Sequence, residues 1–551
     1  MLICILALAA FVRFYHPTQS PPGLNVDECS EVWNAQCLLK TGMDEHGVRW
    51  PIFASAQYAQ AIDTVTLYLQ LPFQFFFGMN AATGRAPSAL CGVLTVFLIY
   101  YVGRRMFCRW TGLAAAALLA VNPWHLLQSR WAHEASVVPF LAIAPLAAML
   151  WANLPFGDKE IRPLNPIRAG LAGAVTGICT YGYLGVRLWI PVFYMAAVLV
   201  TWRAWWERLR TRQGAIAIGA FLLMAMLFFG PLLWATHSNP LLTKRAGLTW
   251  VWNPTDSIET KIGKVLSRYP GHFGLSFLFL QGDPDISFCP PQGYGYFCWY
   301  TLPLMILGLA HCFARLKSSR TSRVLLTWVI LYPAADLLSE HPAMHALRSL
   351  PGICGLVLLS AVGLVFTMRW LWQRKRATAI VLAVGASAIV LVSTIRFLDT
   401  FFGQFNSDLR KYLVGHVDLL EACQWLKPRL KEEDAVFVTG TGMGHPYTTT
   451  LVGLQYDPRQ WFLDVKQTME GPLPNGAYRN EEIVLRYGKM HFMFDASARS
   501  DIEQLERNGH PDRVVFIVRP WEVPLGGRFS PVQQILDPEG NPSLVIYEFT
   551  I

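Results

Sequence analysis

Charge is scarce in this sequence. Of 551 residues only 15% are Asp, Glu, Lys or Arg, while 53% are hydrophobic. A soluble protein carries roughly 25% charged residues, and the chain is too long for one ordinary soluble domain. Paired cysteines are lacking as well. The eleven cysteines are scattered and no Cys-x-x-Cys spacing occurs, which removes the common cysteine metal sites. Cys289 and Cys298 leave a loop disulfide open against two unpaired thiols. If their segment is helical, Cys29 and Cys37 lie too far apart along it to bond. There is no internal repeat and no low-complexity stretch. Positive charge sits in short loops rather than on one face, which argues against nucleic acid as a partner.

What is present is long apolar runs. Twenty Trp and 33 Phe suit membrane spans with aromatic belts. Runs near the roughly 20 residues a bilayer requires predict about eleven spans, at 2–15, 86–107, 112–127, 137–154, 169–184, 188–202, 215–236, 297–313, 324–338, 352–368 and 377–397. A cleaved signal peptide is the rival for the first run. Its basic lead is missing, and Arg13 stands where a small-residue cleavage site belongs.

From Gln404 onward there are 15 Lys/Arg and 20 Asp/Glu, a net of −5, whereas the remainder carries a net of +14. Basic loops begin at Gly103, Trp202, Arg315 and Arg369, and the loop 158–168 joins them on one side of the membrane. The positive-inside rule makes that side cytoplasmic. The outer loops 16–85 and 237–296, and everything after the last span, then face outward. The predicted architecture is a multi-spanning α-helical membrane domain over 1–403, followed by a small extracytoplasmic α/β domain over 404–551. Within the latter, 406–430 has helical periodicity, 435–438, 490–494, 513–518 and 543–549 read as strands, and 501–508 reads as a short helix.

The outer loops hold the polar chemistry. Pro-Pro-Gly-Leu-Asn-Val-Asp-Glu-Cys, from Pro21 to Cys29, ends in the carboxylate pair Asp27 and Glu28. Carboxylates at a membrane edge are costly unless solvated, paired or working. Arg85 opens the second span, and the next outer turn places Arg130, His133 and Glu134 together. Arg187, Asp283, His345 and Arg348 follow in later outer turns. Arginines match a lipid-borne phosphate bidentately and stay charged. A carboxylate can take the proton of an acceptor hydroxyl as it attacks an anomeric carbon, and one such displacement inverts that centre.

Further motifs are Arg-Ala-Pro-Ser-Ala-Leu-Cys-Gly at Arg85, Asn-Pro-Trp-His at Asn122 leading to Ser-Arg at Arg130, Phe-Leu-Phe-Leu-Gln-Gly-Asp-Pro at Phe277, and His-Ala-Leu-Arg-Ser-Leu-Pro at His345. With Pro-Pro-Gly-Leu-x-x-Asp-Glu, these make the chain resemble the GT-C membrane glycosyltransferases. More narrowly, it resembles the family 39 branch, which includes protein O-mannosyltransferases and the aminoarabinose transferase of lipid A. The resemblance spans the membrane part in order and is loose in the tail. It implies a polyprenyl-phosphate sugar as donor and a protein, glycolipid or glycan as acceptor. It makes Asp27 the general base, Glu28 an orienting group and Glu134 the second acidic position. Arg85, Arg130, Arg187 and Arg348 become donor-phosphate candidates, with His133, Asp283 and His345 as candidates for substrate contacts. No spacing demands a metal, although such sites leave a divalent metal open. Where many bacterial relatives have an Arg-Glu-Pro-Leu-like run, this chain reads Ala-Ile-Asp-Thr-Val-Thr-Leu-Tyr from Ala61.

Two other function classes compete. A transporter or flippase predicts charges in mid-span and paired, broken helices; the charges here sit at span ends. A catalytically silent scaffold leaves the carboxylate pair without a purpose.

Overall fold

The computed structural model describes residues 1–56, 60–158, 163–238, 251–253, 255–284, 290–339, 344–431, 434–464, 486–493, 513–522 and 530–550. They form two compact units. The first comprises Met1–Tyr15, Asp63–Thr66 and Pro87–Phe402; the second comprises His16–Ile62, Leu67–Ala86 and Gly403–Ile551.

Helices occupy all eleven apolar segments. Among the described residues five combine spanning length with apolarity: Ala81–Met106, Glu134–Trp151, Arg212–Ser238, Gly352–Arg374 and Arg376–Lys411. The pair Leu184–Val200 and Trp202–Leu209, bent by 81°, makes a sixth if taken as one span. Others, such as Leu2–Phe14, Pro166–Cys179 and Thr301–Ala314, are apolar but shorter. The expected count of eleven is therefore not reached by length and composition. Pro, Asn and Gly turns cut several runs before they attain bilayer length.

Helices of the first unit meet through small residues, which let backbones approach where no water drives apolar contact. A Cβ on Gly308 would stand 2.1 Å from Leu359 O, and one on Gly363 2.0 Å from Leu304 O. These two glycines clamp Thr301–Ala314 against Gly352–Arg374. A buried aromatic cluster fastens the other side: the Trp189 and Phe193 rings stack at 4.6 Å, and Trp328 lies 5.1 Å from Phe193.

The second unit is built on a six-stranded sheet in the order Arg486–Tyr487, Met490–Met493, Asp434–Thr439, Arg513–Val518, Pro542–Thr550, Pro531–Leu536. Asp434–Thr439 runs parallel to both its neighbours, and the outer pairings are antiparallel. The four Val-, Ile- and Phe-rich segments expected as strands are strands. The edge strand Pro531–Leu536 was not anticipated: it opens on Pro, which a sheet tolerates only at an edge or a first position. The expected helix over 406–430 is divided into Gln404–Lys411 and Val417–Leu426. Leu413 and His416 stand between them at φ +57° and +44°, a left-handed backbone that no α-helix passes through. The expected helix 501–508 and Cys289 lie outside the described residues.

Sequence reading assigned 404–551 alone to this unit, but the structure builds it from three stretches. Helix Val26–Thr41 sends Cys29, Val32, Trp33 and Cys37 into a core shared with Leu419, Cys423, Leu451 and Trp461. Trp33 meets Trp461 edge to face at 5.9 Å. Ahead of this helix Gly23, at φ +65°, crosses the 413–416 turn. Leu24 N–H donates to Gly415 O at 2.8 Å, and a Cβ on Gly23 would lie 2.0 Å from that same oxygen. The glycine of Pro-Pro-Gly-Leu is thus required by a backbone crossing.

Behind this core Glu45 is buried. Its N–H donates to Asn34 Oδ1 at 2.9 Å and its carbonyl accepts the Trp461 indole N–H at 2.9 Å. Burial pushes its carboxyl up to about 7, only partly offset by His46 and by the Asn34 and Tyr447 side chains. A raised carboxyl favours the folded state while it stays protonated. That contribution is complete below the unfolded value near 4.3 and is lost as pH rises through about 7. Glu45→Gln is expected to raise the melting temperature of the purified chain at pH 8, with the gain shrinking through pH 7 to 5 and vanishing only near pH 4. The gain corresponds to at most about 4 kcal/mol, at about 1.4 kcal/mol per pH unit for a rise from about 4.3 to about 7.

Candidate active site

Asn25 caps helix Val26–Thr41 in a capping box. Its Oδ1 accepts Glu28 N–H at 2.8 Å, and Glu28 Oε2 accepts Asn25 N–H at 3.2 Å. Asp27 is half-buried in the same first turn, where the helix dipole favours a carboxylate.

Glu28 is fully buried and clamps Arg85 from two sides: Arg85 Nε donates to Oε1 and Nη2 to Oε2, both at 2.8 Å. The other Arg85 donors go to backbone. Nη1 reaches Pro17 O at 2.8 Å and Pro21 O at 2.7 Å, and Nη2 reaches Gly23 O at 2.7 Å. All five N–H groups of the guanidinium are engaged within the loop. The expectation that Arg85 binds a donor phosphate is therefore corrected: it folds the 17–23 segment. Glu28 likewise is a capping and ion-pairing group.

Arg130, in the first unit, is corrected in the same way. Nη1 and Nη2 donate to Val12 O and Tyr15 O, each at 2.6 Å, at the C-terminal end of helix Leu2–Phe14. Its guanidinium lies 5.0 Å from the Phe402 ring centroid. Carbonyls left unpaired at a helix end, together with the negative dipole pole, are a natural site for a buried guanidinium. Arg13 serves the same purpose elsewhere, donating to Ala120 O at 3.0 Å and lying 2.7 Å from His125 Nδ1.

Glu134 and Arg187 come together through a residue that the sequence reading passed over. Asp63 N–H donates to Glu134 Oε2 at 2.7 Å, and Arg187 Nη2 pairs with Asp63 Oδ1. All three side chains are buried. The signal for Asp63 was its place in the stretch Ala-Ile-Asp-Thr, where the resemblance breaks. His133 caps the short helix at Glu134–Val137, its Nδ1 accepting Ala135 N–H at 3.0 Å.

The helix that bears Arg187, Leu184–Val200, packs at its start on Ala334–Leu337; a Cβ on Gly185 would lie 3.4 Å from Ala335 Cβ. That short helix carries Asp336, a fully buried acid at the end of an apolar run. Asp336 Oδ2 is 2.8 Å from His272 Nε2 and accepts His345 N–H at 3.0 Å. Asp283, also fully buried, accepts Ala346 N–H at 2.8 Å. Two aspartates thus pin the turn 345–348 by its backbone. His345 Nδ1 accepts Leu347 N–H at 3.2 Å, stiffening the turn further. Arg348 projects from it half-buried; its Nη1 is shut off from solvent, and no described residue offers it an acceptor. Asp283 and His345 therefore act on the turn's backbone. Among the described residues no three His, Cys, Asp or Glu side chains converge as a metal-ligand set.

The Glu28–Arg85 pair makes a direct prediction. Arg85→Ala leaves a buried carboxylate and three buried carbonyls unpaired, and is expected to cost about 3–5 kcal/mol of stability. Thermal melting of the detergent-solubilised chain checks this, with Arg104→Ala, an exposed residue in the last turn of helix Ala81–Met106, as the unaffected control.

No protein-family model and no curated protein sequence matches the chain. Solved structures do. ArnT from Cupriavidus metallidurans bound to undecaprenyl phosphate superposes at a TM-score of 0.57 with 13% identity, covering 99% of this chain and 97% of that one. The same protein in the apo state gives 0.53 at the same identity. The oligosaccharyltransferase of Archaeoglobus fulgidus, in a complex with Zn and sulfate, gives 0.50 with 14% identity, over 94% of this chain and 67% of that one. At such identities the likeness speaks for the fold, and it runs nearly the full length of the chain: the protein has the GT-C fold of membrane glycosyltransferases.

Proposed function

We propose that the protein is an inverting glycosyltransferase that moves a sugar from a polyprenyl-phosphate donor to an acceptor hydroxyl at the outer face of the cytoplasmic membrane. One observation carries the reading furthest: the Nη1 of Arg348, buried without an acceptor among the described residues, on a turn held by two buried aspartates. Leaving a guanidinium N–H unpaired away from water is costly, and an anionic oxygen is the ligand that relieves it. The likeness to ArnT, whose structure holds undecaprenyl phosphate, supports a lipid-borne phosphate as that anion.

In this reading the carboxylate base removes the proton from the acceptor O–H as that oxygen bonds to the anomeric carbon. The bond from that carbon to the phosphate oxygen breaks, and the electron pair leaves with the phosphate. Arg348 stabilises the charge that grows there. Arg187 is bound to Asp63 and contributes positive charge as part of that pair. Asp27 is the base in this reading: it lies in the first turn of helix Val26–Thr41, and the other acid of that turn, Glu28, is committed to Arg85. Glu134, already accepting the Asp63 N–H, is the second acidic position. Residues 404–551, with the first outer loop, form the extracytoplasmic part.

Two variants test the assignment. Arg348→Ala is expected to weaken undecaprenyl phosphate binding to the purified chain by about 10- to 100-fold, the worth of a charge-assisted hydrogen bond of about 1.5–3 kcal/mol. Unchanged affinity would sink the phosphate role. Asp27→Asn is expected to lower turnover with a lipid-extract donor by about 10²–10⁴ while leaving that affinity unchanged; full turnover in this variant removes Asp27 as base.

A further inference from the structure

Helix Ile258–Arg268 has eleven residues, none of them buried. It is a self-sufficient helix, started by Ser257, whose side chain accepts Thr260 N–H. Its apolar residues are not scattered. Ile258, Ile262, Val265 and Leu266 recur at i, i+4, i+7 and i+8, which places them on one arc. Ile258 is 76% exposed, Ile262 53% and Leu266 61%. Lys261, Lys264 and Arg268 flank that arc on one side, with Glu259 on the other. At about 16 Å, with a 1.5 Å rise per residue, the helix is far too short to span a bilayer. A short helix with an exposed apolar arc beside cationic residues has the composition of one lying in the headgroup–acyl boundary. The chain reaches it from Arg212–Ser238, an apolar helix of spanning length whose surface is itself largely exposed.

The end of this helix is tied to the candidate site. Arg268 Nη2 lies 3.9 Å from Asp336 Oδ2, the oxygen that accepts His345 N–H at 3.0 Å. One turn on, His272 Nε2 reaches the same oxygen at 2.8 Å, and the Tyr332 hydroxyl donates to His272 O. Tyr269 adds a hydrogen bond to Ile330 O at 2.9 Å. Asp336 therefore joins the amphipathic helix to the turn that presents Arg348.

We propose that helix Ile258–Arg268 lies on the lipid surface, its apolar arc among the acyl chains and its lysines at anionic headgroups, and that through Asp336 it holds the Arg348 turn at the depth of the lipid phosphates. The lipid contact stands on the helix alone; the consequence for Arg348 rests on the phosphate role proposed above. The helix thus positions a ligand-binding residue and has no chemical role of its own. Of the cations, Lys264 also pairs with Asp256 at 2.6 Å, so the apolar arc supplies most of the attachment.

The full chain in phosphatidylglycerol nanodiscs tests both parts. With p-benzoylphenylalanine in place of Ile262, illumination is expected to yield a phosphatidylglycerol adduct on that tryptic peptide. The same probe in place of Ser267, on the opposite side of the helix, is expected to yield none. Equal labelling at both positions, or no lipid adduct at Ile262, overturns the lipid contact. Ile262→Glu is expected to weaken undecaprenyl phosphate binding at least tenfold while Ser267→Glu leaves it unchanged; an adduct at Ile262 with binding unaltered by Ile262→Glu overturns the link to Arg348. Should Arg348→Ala itself leave binding unchanged, the phosphate role falls while the adduct result stands by itself.

Discussion

The buried ion pair between Glu28 and Arg85 is the interaction on which the loop 17–25 depends. A carboxylate and a guanidinium removed from water repel solvation loss only through full pairing, and here that pairing is complete. Arg85 uses five donors on two carboxylate oxygens and three carbonyls. Those carbonyls belong to Pro17, Pro21 and Gly23, residues with no regular secondary structure to satisfy them. One side chain therefore does for an irregular loop what a helix or sheet ladder does elsewhere. With Gly23 in place, the loop can cross the 413–416 turn, and helix Val26–Thr41 can enter the core beside Leu419 and Trp461.

The same economy runs through the first unit. Arg13 and Arg130 serve helix-end carbonyls, Asp63 joins Glu134 to Arg187, and Asp283 and Asp336 hold a turn by its backbone N–H groups. In a medium of low polarity a charged group is either satisfied or costly. These buried charges are accordingly structural. Arg348 stands on a rigidly held turn, and its Nη1, like Arg13 Nε, is buried with no hydrogen-bond partner among the described residues. Rigid support around an incompletely satisfied cation is the arrangement that favours an anionic ligand over internal relaxation.

This pattern explains where the sequence was legible. Apolar runs located helices in every expected segment, because burying backbone polar groups in lipid leaves helix formation as the solution. Val- and Ile-rich segments located four strands of the sheet. Asp27 and Glu28 stand in the first turn of helix Val26–Thr41, where Asn25 and Glu28 form a capping box. The break at 412–416 was illegible: its left-handed residues are Leu413 and His416, and neither advertises that conformation as glycine would. Nor could arginines that satisfy carbonyls be separated from arginines that await a ligand, because both kinds stand at span ends in the same motifs.

The sequence by itself determined the apolar helices and most of the sheet, since these follow from local periodicity and composition, while the GT-C fold was legible only as a resemblance of motifs. Only the tertiary structure decided the partners: that Glu28 belongs to Arg85, Arg130 to the end of helix Leu2–Phe14, and Arg187 to Asp63. Those pairs join residues 57, 115–118 and 124 positions apart. A charge's fate depends on the acceptors that folding brings to it, and no local pattern encodes such separations.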